Sequence, residues 1–276
     1  MRIHVHAMIW NEEKMLPYFL RHYETFCEKI FIRVFPSTDK TLEIAKNNSK
    51  VVLLEPECTF SKDLNKYNLK DQMKFKNEEW KKYSTSENCD WVILADCDEF
   101  IYHSNIVDLL SIYTEKGITF PKILGFQMYS EKPPSTNGQI YEEIRNGYPM
   151  AEYSKRAVLH PNIIPRYTPG CHSCNPNSSG EVVESSQKEI KLFHYSKQVW
   201  SRDELLDFWI KKMKRIAPEK NKGIPDEKFY IYAFNSLYNL YNLTIGNYMR
   251  YINENNVDRG IPYFDVVEDN INKGGK

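Results

Sequence analysis

Apolar and polar positions alternate in blocks along the first half of the chain. Residues 3–9 (IHVHAMI) form a strand-like run, and Met15, Leu16, Phe19, Leu20 and Tyr23 then recur at helical spacing. KIFIRVF (29–35) reads as a second strand, PSTDKT as a turn, residues 41–48 as a short helix and VVLL (51–54) as a third strand. A Lys-rich stretch (61–90) holds a helix around Gln72 to Tyr83; acids interleave with its lysines, which makes it a solvated face and not a nucleic-acid patch. The five apolar residues Trp91 to Ala95 then form a fourth strand, followed by a helix from near Ser104 with Ile106, Leu109, Leu110 and Tyr113 inward. Strand alternating with helix implies parallel pairing, hence an α/β fold with a mostly parallel central sheet flanked by helices.

The pattern changes after ILGFQMY (123–129). Residues 130–190 carry Pro133, Pro134, Pro149, Pro161, Pro165, Pro169 and Pro176 among scattered Gly and Asn, which predicts loops and short strands of the kind that form a substrate face. EIKLFHY (189–195) is a last strand. Ser201 and Glu204 make a capping box, and Leu205, Leu206, Trp209, Met213 and Ile216 one apolar stripe. A second helix over about 227–252 is crowded with Tyr and Phe, and at helical spacing core packing is its first reading. Residues 201–276 are therefore expected as a C-terminal helical extension packed on the preceding fold.

Composition narrows the classes. An apolar fraction of 41% over 276 residues supports a real core, and 37 basic against 37 acidic residues leave no global field to recruit nucleic acid or membrane. No apolar run is long enough to cross a bilayer and no secretory signal pattern opens the chain, so a cytoplasmic location is expected. The six cysteines are unevenly spaced and read as reduced thiols; CHSC (171–174) lacks the second ligand pair of a structural zinc site.

The chemistry is in DWVILADCDEF (90–100), where a buried strand runs into three acids. The carboxyl end of such a strand opens on the crevice where parallel sheets bind ligands. In extended geometry Asp96 and Asp98 point to the same side, and two anions held there need a cation. Hard oxygen donors suit Mg²⁺ or Mn²⁺, which fill their open positions with substrate phosphate oxygens. A dinucleotide Gly-x-Gly-x-x-Gly and a P-loop are both missing from the sequence.

WNEEKMLPYFLRHY (10–23), STDKT (37–41), DWVILADCDEF (90–100) and LFHY (192–195), in that order, resemble the GT-A glycosyltransferases, closest to family 2 and its family 92-like relatives. The resemblance spans roughly residues 3–200. It implies a Rossmann-like GT-A catalytic domain over 1–200, with a nucleotide-sugar-binding half (1–103) and an acceptor-side half (104–200). It further implies metal-dependent transfer of a sugar from a nucleotide-diphosphate donor, UDP being the commonest, to a glycan or other hydroxyl acceptor, with inversion. By position Asp98 would be the direct metal ligand, Asp96 would face the ribose and the metal shell, Asn11 and Glu12 would line the nucleotide pocket, and Asp39 would approach base or ribose. His194 would complete the metal site, with His172 as its rival, and a histidine there favours Mn²⁺ over Mg²⁺. The chain departs from the pattern at Phe35 and Pro36, where relatives carry Asp or Asn.

Transfer also needs a base and positive charge near the leaving group. Glu131, Glu142, Glu143, Glu152, Glu181 and Glu184 lie in the right stretch for the base; Glu152 is chosen because it precedes Lys155 and Arg156. Lys155, Arg156 and Arg166 are the candidate cations, Lys155 foremost. Two other readings are a sugar-nucleotidyltransferase, which predicts a glycine-rich loop that WNEEK lacks, and a non-catalytic carbohydrate-binding protein, which predicts loss of the acids.

Overall fold

Among the described residues two five-stranded sheets carry the fold. The structure, a computed structural model, describes residues 1–55, 69–128, 130, 133–135, 137–149, 153–168, 171, 173–176, 182–195 and 264–265. In chain order the first elements are β1 (Ile3–Ile9), α1 (Leu16–Tyr23), β2 (Lys29–Val34), α2 (Thr41–Lys46), β3 (Val51–Leu54), α3 (Leu69–Asn77) and β4 (Trp91–Leu94). Then follow β5 (Glu99–Tyr102), α4 (Ile106–Glu115), β6 (Ile123–Met128), α5 (Ile140–Glu143), β7 (Asn146–Pro149), β8 (Val158–Leu159), β9 (Ile190–His194) and β10 (Phe264–Asp265). The first sheet has the order β3-β2-β1-β4-β8, parallel except for β8. The second has the order β10-β7-β6-β9-β5, with only β6 and β9 parallel.

The alternation in β1 decides both faces of the first sheet. Ile3, Val5, Ala7 and Ile9 join Leu16, Phe19, Leu20 and Tyr23 of α1 in the main core. Successive side chains of a strand point to opposite faces, so His4 and His6 lie on the other side, against Phe31, and His6 also meets Phe75 of α3. Buried polar groups need partners. Ser84 Oγ sits 2.8 Å from His4 Nδ1 and 2.7 Å from His6 Nε2, and buried Arg33 pairs with Glu79.

This is the expected α/β class with a mostly parallel central sheet and helices on its faces. Three local expectations gain detail. The helix expected around Gln72 to Tyr83 is α3 followed by a 3₁₀ turn at Glu79–Lys82. The helix expected near Ser104 starts after Asn105, whose side chain accepts from the Asp108 amide. The last strand expected over 189–195 is β9, which lies in the second sheet between β6 and β5, the latter an antiparallel strand that the apolar pattern did not single out. The helices expected in 201–252 lie outside the described residues; within 201–276 the described part is β10, a short strand paired antiparallel with β7. Among the described residues no helix is long and apolar enough to cross a membrane, and Cys27, Cys89, Cys97, Cys171 and Cys174 are all free thiols.

Candidate functional site

The acids of DWVILADCDEF stand at the carboxyl end of β4, but not on an extended strand. β4 ends at Leu94, and Cys97 and Asp98 form a turn into β5. The extended geometry expected to put Asp96 and Asp98 on one side therefore does not hold. Glu99 closes the turn: its amide donates to Asp96 O at 3.0 Å, and its Oε2 accepts from the Asp96 amide at 3.0 Å.

Asp96 is answered by lysines. Lys76 Nζ lies 2.6 Å from its Oδ1 and Lys155 Nζ 3.5 Å from its Oδ2, while Lys155 also sits 2.5 Å from Glu99 Oε1. Both lysines and Glu99 are buried. Burial by itself would raise the Asp96 pKa, but Lys76 and Lys155 outweigh it and hold the carboxyl well below its usual range. Burial likewise works to lower both lysines, and the facing carboxylates win, raising Lys76 and Lys155. Three of these four groups are inside the protein, so each depends on the others for its charge.

Asp98 has different company. Pairing of β5 with β9 sets Glu99 opposite His194, and the Tyr195 amide donates to Asp98 O at 2.8 Å. His194 Nε2 then lies 3.5 Å from Asp98 Oδ2. Gln127 of β6 fixes which nitrogen is which. Its Nε2 donates to Met128 O at 2.9 Å and to His194 O at 3.3 Å, so its Oε1, 2.8 Å from His194 Nδ1, must accept. Nδ1 therefore carries a proton, and Nε2 faces a carboxylate oxygen. A lone pair on Nε2 would face the lone pairs of that oxygen, a pairing that a shared proton or a shared cation relieves. Tyr153 stacks on the imidazole at 3.9 Å between centroids.

Gly125 explains how Tyr153 and Lys155 reach this place. A Cβ on Gly125 would come within 2.0 Å of the Tyr153 carbonyl carbon, so only glycine lets the 153–155 segment lie against β6. The Gly125 amide donates to Ser154 Oγ at 3.1 Å.

A third group joins the loops after β1 and β2. Asn11, with a positive φ of 52°, donates through Nδ2 to Thr38 Oγ1 at 3.2 Å and accepts from the Thr38 amide at 2.8 Å. Asn tolerates this left-handed backbone better than most residues. The Glu12 amide donates to Thr41 Oγ1 at 2.7 Å, and Asp39 accepts from the Glu13 and Thr41 amides at 3.2 and 3.0 Å. Asn11, Glu12 and Asp39 thus meet in one clasp at the carboxyl ends of β1 and β2; the Asp39 carboxylate is engaged in holding it.

For a divalent ion, the donor set that fits is Asp98 with His194: one carboxylate oxygen and one bare imidazole nitrogen, the latter oriented from behind by Gln127. Asp96, expected as a ligand too, has its oxygens in ion pairs. Among the described residues no group of three or more His, Cys, Asp and Glu side chains forms a ready metal cluster. His172 and Glu152 lie outside the described residues, as do Glu131 and Glu181. Glu142 accepts from the Gln139 amide at 3.1 Å, Glu143 from the Ser135 amide at 3.0 Å, and Glu184 pairs with Arg156. Of the partners the sequence reading passed over (Lys76, Gln127, Gly125, Tyr153), Gly125 alone left a signal, a glycine inside an apolar strand.

No family model and no curated protein matches this chain. Among solved structures it is similar to TarS of S. aureus: 14% identity over 83% of this chain and 41% of that one, with a TM-score of 0.38. The TarS 1–349 structure in complex with UDP aligns at 16% identity over 83% of this chain and 68% of that one, TM-score 0.41. The complex with UDP-GlcNAc aligns at 15% identity over 83% of this chain and 69% of that one, TM-score 0.35. The chain thus spans 41% of the longer TarS chain. Likeness at this level carries no argument about this protein's chemistry.

Proposed function

We propose that the chain is a metal-dependent glycosyltransferase that moves a sugar from a nucleotide-diphosphate donor, UDP-linked in the first instance, to a hydroxyl of a glycan or related acceptor, with inversion. The observation that carries the reading is the pairing of Asp98 with His194, whose Nε2 faces it at 3.5 Å while Gln127 engages Nδ1 from behind, beside the carboxyl end of β4. A sequence resemblance to GT-A glycosyltransferases across residues 3–200 supports it.

In this reading Asp98 and His194 would hold Mn²⁺ or Mg²⁺. Such an ion would supply positive charge to offset the charge gathering on the leaving diphosphate. Gln127 keeps the proton on Nδ1 and so keeps Nε2 free to ligate. Lys76 and Lys155 hold Asp96 ionised, and its carboxylate, still 26% exposed, is an acceptor for a ribose hydroxyl. The clasp of Asn11, Glu12 and Asp39 borders the nucleotide side of the same crevice. Glu152, just ahead of Lys155, is proposed to take the proton from the acceptor hydroxyl.

A thermal-shift screen of nucleotide sugars with and without Mn²⁺ tests this, because a ligand selective for the native state raises the melting temperature by mass action. UDP and UDP-GlcNAc, the ligands of the TarS structures, are the first to try. A rise that needs both nucleotide and metal is expected. Melting temperatures that stay flat across all nucleotide sugars, with and without metal, would overturn the reading.

A further inference from the structure

A cavity of about 310 Å³ opens at the far end of β5, between the C-terminus of α1 and the start of α4. Glu99 is the first residue of β5 and Tyr102 the last, so at about 3.3 Å per residue the cavity stands roughly 10 Å from the acids. Its volume is at the low end of the range for small-molecule sites.

Among the described residues no Asp, Glu, Lys or Arg lines it. His22 is neutral: its Nε2 donates to Ile101 O at 2.8 Å, and burial pushes its pKa down to about 4. An anion therefore finds no Lys or Arg among the described residues of the wall; Lys191, whose ammonium lies 5.9 Å over the Tyr102 ring, is not one of them.

The walls are aromatic and the rim is polar. Phe26, Tyr102 and Tyr141 line the cavity, and the two tyrosine rings meet at 63° with centroids 5.0 Å apart, forming a corner. Burial pushes the Tyr141 hydroxyl up to about 12, so it stays protonated. His103 Nδ1 accepts from the Asn105 amide at 3.1 Å, which leaves its Nε2–H as a donor, and the Ser104 hydroxyl is exposed beside it. A wholly apolar ligand would strand these polar groups, and a charged one would go unmatched. A ring with one apolar face and a border of hydroxyls satisfies both kinds of wall.

We propose that this cavity binds a neutral sugar ring, as a carbohydrate site separate from the acid cluster. The proposal does not rest on the transferase reading.

The test is amide NMR of the full chain, titrated separately with glucose, galactose and N-acetylglucosamine, with inorganic phosphate as the charged control. Saturable shifts at the Tyr102, Ser104 and Asn105 amides are expected with at least one of the three sugars and not with phosphate. Ser104→Trp, at an exposed position, fills the mouth and should weaken that sugar by at least about tenfold, the scale expected when a stacking site is blocked. His103→Ala, which removes the donor and little packing, should weaken it by about threefold or more, the scale of one lost hydrogen bond. Both variants should keep the wild-type response to UDP and Mn²⁺. Silence with all three sugars, shifts with phosphate alone, or unchanged affinity in both variants would overturn the proposal. Sugar shifts without any response to UDP and Mn²⁺ would leave it standing and remove the transferase reading.

Discussion

β5 is four residues long, and its two ends are opposite environments. At Glu99 the protein buries charge and compensates it with Lys155, Lys76 and Asp96 in one network. At Tyr102 it gathers aromatic rings and the imidazoles of His22 and His103, and among the described residues no Asp, Glu, Lys or Arg lines the cavity. In the two proposals above, the same strand would serve two ligand chemistries. Charge inside a protein survives only where countercharge is built in, and a neutral polar site survives only where countercharge is kept out.

That contrast can be broken most forcefully at Glu99. Glu99→Leu leaves the buried Lys155 with Asp96 alone, 3.5 Å away, and should cost about 3–5 kcal/mol in urea unfolding. A cost near zero would mean that the network is not needed for charge burial. Asp98→Ala removes a carboxylate that is 32% exposed, so the unfolding curve should hardly move. Mn²⁺-dependent hydrolysis of a UDP-sugar should fall by about a thousandfold or more, and unchanged turnover would take Asp98 out of the mechanism.

The neutral end has its own pH signature. His22 has a folded pKa of about 4, below its ordinary 6.5, so the unfolded chain takes up the proton first. Stability is therefore fully present above pH 6.5 and is lost as pH falls toward 4, by about 3 kcal/mol for this one residue. Burial lowers His4 and His6 as well, which adds in the same direction. Urea titrations across that range check it, and a His22→Phe variant should flatten part of the slope. The smallest effect is expected at Gln127. Gln127→Leu frees the His194 tautomer and should weaken Mn²⁺ binding about 10–100-fold by electron paramagnetic resonance. ¹⁵N shifts of His194 should report loss of the Nδ1–H form, and an unaltered tautomer would separate Gln127 from the site.

Much of the first sheet was legible because its signals are local. Ile3–Ile9, the helical stripe from Met15 to Tyr23, and VVLL each announce an element through the side chains of a few consecutive residues, and parallel pairing follows from their alternation. The acids after Ala95 were read as ligand chemistry from the same pattern, and His194 came from the resemblance carried by LFHY; the structure brings Asp98 and His194 together. The sequence reading missed Lys76 and Gln127, since nothing in KFKN or GFQM distinguishes a site residue from a surface one. It also took Asp96 and Asp98 as extended, whereas a turn separates β4 from β5.

What the chain determined alone, then, is the α/β order of the first half and the presence of acids and a histidine suited to one site. Only the tertiary structure decided their partners: that Asp96 belongs to two lysines from α3 and the 153–155 segment, and that Asp98 faces His194. It also decided that Gln127 sets the proton on that histidine. The reason is range. Apolar periodicity is read within one element, while countercharge and tautomer are set by atoms brought together from segments dozens of residues apart.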